Sequence, residues 1–417
     1  MLLRSVVALV GIAWCLLAMQ SAAEFGFARL LGKYAVAANS IAAADQAVSL
    51  APEDAEVHRA RARVLNLQQK PDEAKKSFEV ATRLRYRDDY LWLELGSTSD
   101  QLGDTAAALA AFDEAVRWAP YYAHTLWQRG NLRLRLGKYD EAFVDLRAAA
   151  ASKGTLLPSL IDLAWGLSRS DVKTAEQLIQ IDNDQERIAF AQFLAQKGKG
   201  AECVAQLRLL GTPLSEQNRQ ELVQQLIAAK AFRTAFELWR TDTAAAQPVI
   251  VDGGFEELPR NPFVDRGFNW IIVGKTEPAI EIDEAEKLSG KKSLRLRFNG
   301  DWKAPYDTIS QRIVVEPERR YRINFGVRSK ELVTGGPPAI AVKDAITSEW
   351  LGKSEAFPGP SSNWQTMQFE FSTKPGTQAI LLEFIRLTEG CDPCPIFGEL
   401  WLDDFVITDV TTVNSQR

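Results

Sequence analysis

The sequence predicts a two-part chain, an α-helical solenoid followed by an antiparallel β-sandwich. Two observations carry this. A period of 34 residues runs through residues 55–156 and more weakly through 21–54, and the apolar spacing changes from 3.6 to 2 beyond Ala244-Ala245-Ala246-Gln247-Pro248. The length agrees, since 417 residues exceed one ordinary domain. With 46% hydrophobic and 25% charged residues the composition is globular, which excludes a disordered or collagen-like chain. The net charge of −5 comes without any basic stripe and argues against a nucleic-acid partner.

Residues 1–23 read as an export segment. Arg4 precedes the apolar run Ser5 to Met19, and Ser21-Ala22-Ala23 supplies the small residues a signal peptidase cuts after. With Ala22 and Ala23 the run also nears the length of a membrane anchor, interrupted by Gln20 and Ser21, so cleaved signal and uncleaved inner-membrane anchor both stand. Either places the chain in the periplasm or cell envelope.

The helical half follows in residues 24–156. Ala74, Phe78 and Ala81 recur 34 residues on as Ala108, Phe112 and Ala115, and again as Ala142, Leu146 and Ala149. Gly96 recurs as Gly130, and the turns Leu102-Gly103-Asp104 and Leu136-Gly137-Lys138 repeat with them. Small residues let two antiparallel helices approach, a large apolar residue fills the gap, and each hairpin must stack on a neighbour to bury its face. This pattern resembles the tetratricopeptide repeat, clearly over 55–156 and more weakly over 21–54. Residues 157–246 keep the apolar rhythm in Phe190, Leu194, Cys203 and Leu207, then in Leu222, Leu226, Ala235 and Trp239. They read as degenerate repeats of the same solenoid or as a separate helical spacer.

The resemblance implies a protein partner held along the concave face. The outward positions of the first helices are Glu56, Arg59 and Arg63, then Tyr90, Leu93 and Ser97, then His124, Trp127, Asn131 and Arg135. Trp127 would be an aromatic anchor, and Arg59, Arg63 and Arg135 could grip a carboxylate. The plainer reading is an ordinary solvated face. His58 falls where the repeat carries a packing residue.

From residue 247 to 410 the alternation is that of half-buried strands. Leu294, Leu296 and Phe298 alternate with Ser293, Arg295 and Arg297; Tyr321, Ile323, Phe325 and Val327 alternate with Arg320, Arg322 and Asn324. About ten such runs predict two packed sheets, a jelly roll, with 411–417 as a tail. Four motifs in order, Val251-Asp252-Gly253-Gly254-Phe255-Glu256, Ser289-Gly290-Lys291-Lys292, Gln311-Arg312-Ile313 and Leu400-Trp401-Leu402-Asp403-Asp404, resemble the galactose-binding-like carbohydrate-binding modules of families four and nine. The resemblance implies a structural calcium ion joining the first strand to the last. Glu256 and Asp403 would give side-chain oxygens, and Gly254 and Lys292 carbonyls. Asp404, on the opposite face of a regular strand, ranks lower.

It also implies glycan binding by aromatic platforms. Candidates are Trp302 and Tyr306, with Asp301 and Lys303 beside them, and Trp350, while Trp364 reads as packing. Cys391-Asp392-Pro393-Cys394 lies between strands without a second pair for zinc, so a structural disulfide between Cys391 and Cys394 is the expectation. Histidine occurs only at positions 58 and 124, no G-x-S-x-G elbow is present, and neighbouring carboxylates such as Asp403-Asp404 point apart on a strand. The expectation is a non-catalytic exported adaptor. Its solenoid would bind an envelope or polysaccharide-assembly protein and its sandwich a glycan. The alternative is a purely structural scaffold.

Overall fold

The computed structural model describes residues 2–240, 249–258, 267–272, 278–300, 309–389, 391 and 394–411; for 2–13 and 16–18 it describes the backbone alone. The chain forms two compact units, Met1–Ile181 and Asp182–Arg417.

The first unit is helical: α1 (Leu2–Ala37), α2 (Ile41–Leu50), α3 (Ala55–Leu67), α4 (Pro71–Leu84), α5 (Asp89–Gln101), α6 (Thr105–Trp118), α7 (Ala123–Arg135), α8 (Tyr139–Ser152), α9 (Leu157–Leu167) and α10 (Val172–Ile179). Asp54, Asp88 and Asp104 cap helices by accepting backbone N–H bonds at the first turn. The hairpin turns reverse through left-handed residues spaced 34 apart, Gln69, Gly103 and Gly137. A Cβ on Gly96 would stand 2.6 Å from the Phe112 ring, and one on Gly130 2.8 Å from Leu146. The repeating small residue therefore sets how closely each pair of helices packs. Polar contacts repeat as well. Arg61 reaches Asp45 and Ser77, and 68 residues later Arg129 reaches Asp113 and Asp145, so one arginine ties a helix to both neighbouring second helices. Asp145 is buried and shared with Arg133. The N–H of His58 donates to the Pro52 carbonyl, and 34 residues on Trp92 donates to the Tyr86 carbonyl. His58 is half-buried and ties the start of α3 to the preceding turn. Helix α1 runs without a break through Ser21-Ala22-Ala23; among the described residues no helix is long and apolar enough to cross a membrane.

The second unit begins with α11 (Asp184–Gln196), α12 (Gly200–Leu207), α13 (Glu216–Ala228) and α14 (Phe232–Trp239), whose turns again use left-handed residues, Gly198 and Lys230. Ten strands follow among the described residues: β1 (Ile271–Ile272), β2 (Ala279–Asp283), β3 (Ser293–Asn299), β4 (Ile309–Val314), β5 (Arg320–Thr334), β6 (Pro338–Asp344), β7 (Trp350–Lys353), β8 (Ser362–Ser372), β9 (Ala379–Arg386) and β10 (Ile396–Asp409). They form two five-stranded sheets, β1-β4-β9-β6-β7 and β2-β3-β10-β5-β8, antiparallel at every pairing. The inward residues of both sheets make one core, in which Phe255, Trp270, Phe405, Phe325, Phe357 and Phe384 form a chain of aromatic contacts. The buried Gln311 amide bonds both the N–H and the carbonyl of Val251, fastening the incoming segment to β4.

Helix α14 packs on this sandwich. Phe236 and Trp239 meet Phe268, the Arg312 guanidinium lies 5.7 Å over the Phe232 ring, and Arg233 pairs with Glu316 at 2.8 Å. The last helices therefore belong to the compact unit of the strands.

Candidate functional site

In the first unit, α3, α5 and α7 line a cleft of about 430 Å³. Of the residues expected on the concave face, Arg63, Tyr90, Leu93, Ser97 and His124 line it. Arg59 stands behind Tyr90, its guanidinium 4.4 Å from the ring centre, and bonds Glu94 at 2.6 Å; Arg63 approaches the same carboxylate at 3.7 Å. Burial pushes the Glu94 carboxyl up against the pull of Arg59. Glu94 escaped the sequence reading, although it lies 35 residues after Arg59, the spacing that also separates Asp100 from its partner Arg135. Two of the arginines expected to grip a partner's carboxylate thus already hold one from the next repeat. Trp127 is half-buried, and Asn131 donates back to the Trp127 carbonyl within α7. Neither lines this cleft as described.

In the second unit, Trp350 opens β7 and is 54% exposed. It borders a cleft of about 570 Å³ on the outer side of the β6–β7–β9 end of the first sheet, with Ala341, Lys353, Ile385 and Leu387. Ala339, Ala341 and Ile385 form a small apolar cluster there, apart from the sandwich core. The Lys343 ammonium lies 5.9 Å from the Trp350 ring and pairs with the buried Glu383 at 2.5 Å. Asp301, Trp302, Lys303 and Tyr306 lie outside the described residues. Trp364, expected to pack just before a strand, lies within β8 and is half-buried, near Gly326.

Asp403 and Glu256, the side chains expected around calcium, each bind backbone N–H groups of residues 288–292. Asp403 is buried, accepts the N–H groups of Leu288 and Ser289 on one oxygen, and accepts that of Asp404 on the other. Glu256 accepts the N–H groups of Lys291 and Lys292, and the Lys292 ammonium donates to the Glu256 carbonyl. Burial pushes the Asp403 carboxyl up, the neighbouring Asp404 charge adding to it, against the pull of the Leu288 and Ser289 amides. Among the described residues no group of three or more histidine, cysteine, aspartate or glutamate side chains is placed to hold a metal ion. The expected strand alternation fails at this point. A bulge with Asp404 in a left-handed conformation turns that carboxylate to the same loop as Asp403, where it accepts the Ser289 hydroxyl. Glu256 and Glu257 lie in a bend, not on a strand.

Cys391 and Cys394 form a disulfide between β9 and β10. The buried Arg386 binds its loop, donating to the Gly336 and Cys394 carbonyls and to the Thr334 hydroxyl. Nothing in the spacing of the motif pointed to Arg386, since the turn it bonds lies some fifty residues earlier.

Residues 90–122 match the family model described as tetratricopeptide repeat. They span α5, α6 and the turn before α7, which includes Tyr90 of the cleft. Repeats of this family mediate protein–protein interaction. Protein FlbA of Caulobacter vibrioides is 37% identical over 65 residues, which is 16% of this chain and 11% of that protein. Among solved structures the chain is similar to MamA, at 16% identity and a TM-score of 0.31 over 34% of this chain and 83% of that one. It is also similar to YrrB, titled a TPR protein with an unusual peptide-binding site, at 20% identity and 0.32 over 37% and 84%. PilF of Pseudomonas aeruginosa gives 12% identity and 0.32 over 53% and 90%.

Proposed function

We propose that the chain is an exported, non-catalytic adaptor that binds a protein through its helical repeats and a glycan through its β-sandwich. The observation that carries the glycan half is Trp350, an exposed indole at the border of an open cleft with an apolar floor and a lysine beside it. A sugar ring offers one apolar face to such an indole and hydroxyls to the polar side chains around it. Trp302 and Tyr306, with Asp301 and Lys303, would extend the platform. The protein half rests on the cleft of α3, α5 and α7, where Tyr90 and Arg63 would meet a peptide. A polysaccharide-assembly or export protein of the envelope is the partner proposed, with residues 1–23 acting as signal or anchor. A calcium ion would sit between Glu256 and Asp403 and stabilise only the folded state.

The test is affinity electrophoresis of the full chain through gels cast with a panel of polysaccharides, with calcium and with chelator. Retardation that Trp350→Ala removes supports the glycan reading; a chelator-induced fall in melting temperature supports the ion. A second reading, a structural scaffold, draws on the packing of α14 against the sandwich. A well-folded chain that no polymer retards would favour it.

A further inference from the structure

The Cys391–Cys394 disulfide has surroundings that stapling does not require. A cross-link three positions apart closes a very small loop, so it restrains the unfolded chain far less than a long-range bridge does. Its sulfurs lie directly against the Thr334–Gly336 turn. A Cβ on Gly335 would come 2.7 Å from the Cys391 sulfur, and one on Gly336 2.6 Å from that of Cys394. The guanidinium of Arg386, 4% exposed, holds this turn and the Cys394 carbonyl, and one of its nitrogens lies 3.7 Å from the Cys394 sulfur. A fixed cation beside a sulfur favours its thiolate, and a thiolate so favoured is a good leaving group. Both cysteines are only partly buried.

We propose that Cys391–Cys394 is a redox-active site that exchanges with a partner bearing two thiols, Cys394 leaving beside Arg386. A partner thiolate attacks the Cys391 sulfur; the Cys391–Cys394 bond breaks and its electron pair departs on Cys394. The partner's second thiolate then attacks the partner's own sulfur in the mixed disulfide and releases Cys391, which takes up a proton. The sum is protein disulfide plus partner dithiol to Cys391 thiol, Cys394 thiolate and partner disulfide; two electrons and one proton pass to the protein, and the partner's second proton goes to solvent. Residues Ile385 to Glu389, next to this pair, also wall the Trp350 cleft, so one segment carries both the exchange chemistry and part of the cleft.

The experiment uses the full chain with Cys15→Ser, because Cys15 is exposed; Cys203 is buried, its thiol pushed up to about 12, and stays silent. In that background Cys391→Ser leaves Cys394 to be alkylated by iodoacetamide, and its rate is followed against pH by mass spectrometry. The expected midpoint lies at least one pH unit below the ~8.5 of an ordinary thiol. Arg386→Lys should keep it low and Arg386→Leu should return it to the ordinary value. With both cysteines present, dithiothreitol should reduce the pair while the chain keeps its native circular dichroism. A Cys394 midpoint at or above that of an ordinary thiol would overturn the proposal, as would a pair that resists reduction until the chain unfolds. If Arg386→Leu fails to fold, the profiles of Cys391→Ser with Arg386 and with Lys at that position still decide.

Discussion

The two sheets of the sandwich turn different surfaces outward, and two tryptophans measure the difference. On the second sheet Trp401 is 2% exposed, flanked by the guanidinium groups of Arg295 and Arg328 at 5.3 and 5.5 Å, with its indole N–H donated to Asp283 at 2.9 Å. Glu281, Glu286 and Glu399 complete the ion pairs of that face. On the first sheet Trp350 also has a cation nearby, yet more than half of it is exposed. The strands explain the contrast. Trp401 lies on β10, with Arg295 of β3 opposite on one side and Arg328 of β5 on the other. Trp350 lies on the edge strand β7, where only Lys343 of β6 stands opposite. A central strand supplies side chains on both flanks and seals an outward tryptophan; an edge strand leaves one flank open.

That contrast can be broken by substitution. Trp401→Ala should cost about 3–5 kcal/mol, as for other buried aromatics, and leave cleft binding intact in the molecules that fold; chemical denaturation measures it. Gly352→Val should cost about 1–3 kcal/mol by overpacking, because a Cβ there would meet the Phe371 Cβ at 2.9 Å and the Glu370 carbonyl at 3.2 Å. A fully tolerated valine would mean that β7 is not held against β8. Asp283→Asn keeps an acceptor for Trp401 and should cost about 1–2 kcal/mol at neutral pH.

The pH dependence of that last variant has a definite sign. Burial alone would raise the Asp283 carboxyl; the Trp401 N–H, the Ala285 and Glu286 amides and Arg295 outweigh it, and the group titrates below its ordinary range. A carboxyl lowered on folding contributes stability that is present above its unfolded pKa of ~3.9 and is lost as pH falls through the lower folded value. Asp283→Asn should therefore flatten the acid limb of the stability profile below about pH 4. Trp350→Ala should have the smallest effect on stability, within about 0.5 kcal/mol, while abolishing retardation by any polysaccharide the chain binds. A large loss of stability would show that Trp350 packs as Trp401 does.

Much of the architecture was legible because its signals are local and repeated. Residues 34 apart gave the helix hairpins, with Gly96 against Phe112 and Gly130 against Leu146 packed as the spacing implied. Period-two alternation gave inward Leu294, Leu296, Tyr321 and Phe325 on their strands. The sites were less legible. The cleft residues Arg63 and Tyr90 followed from helical spacing, but the capture of Arg59 by Glu94 needed the two helices brought side by side. The Asp403-Asp404 alternation failed because a bulge changes facing without changing composition.

By itself, then, the sequence determined the fold class, the helix pairs with their turns, and the faces each strand buries, because burial at a fixed period is written residue by residue. Tertiary structure alone decided which strand lies at a sheet edge, and so which tryptophan is open. It also decided that Arg386 and a glycine pair some fifty positions away close around one disulfide. Those outcomes depend on which distant strands pair, and strand pairing leaves no period in the chain.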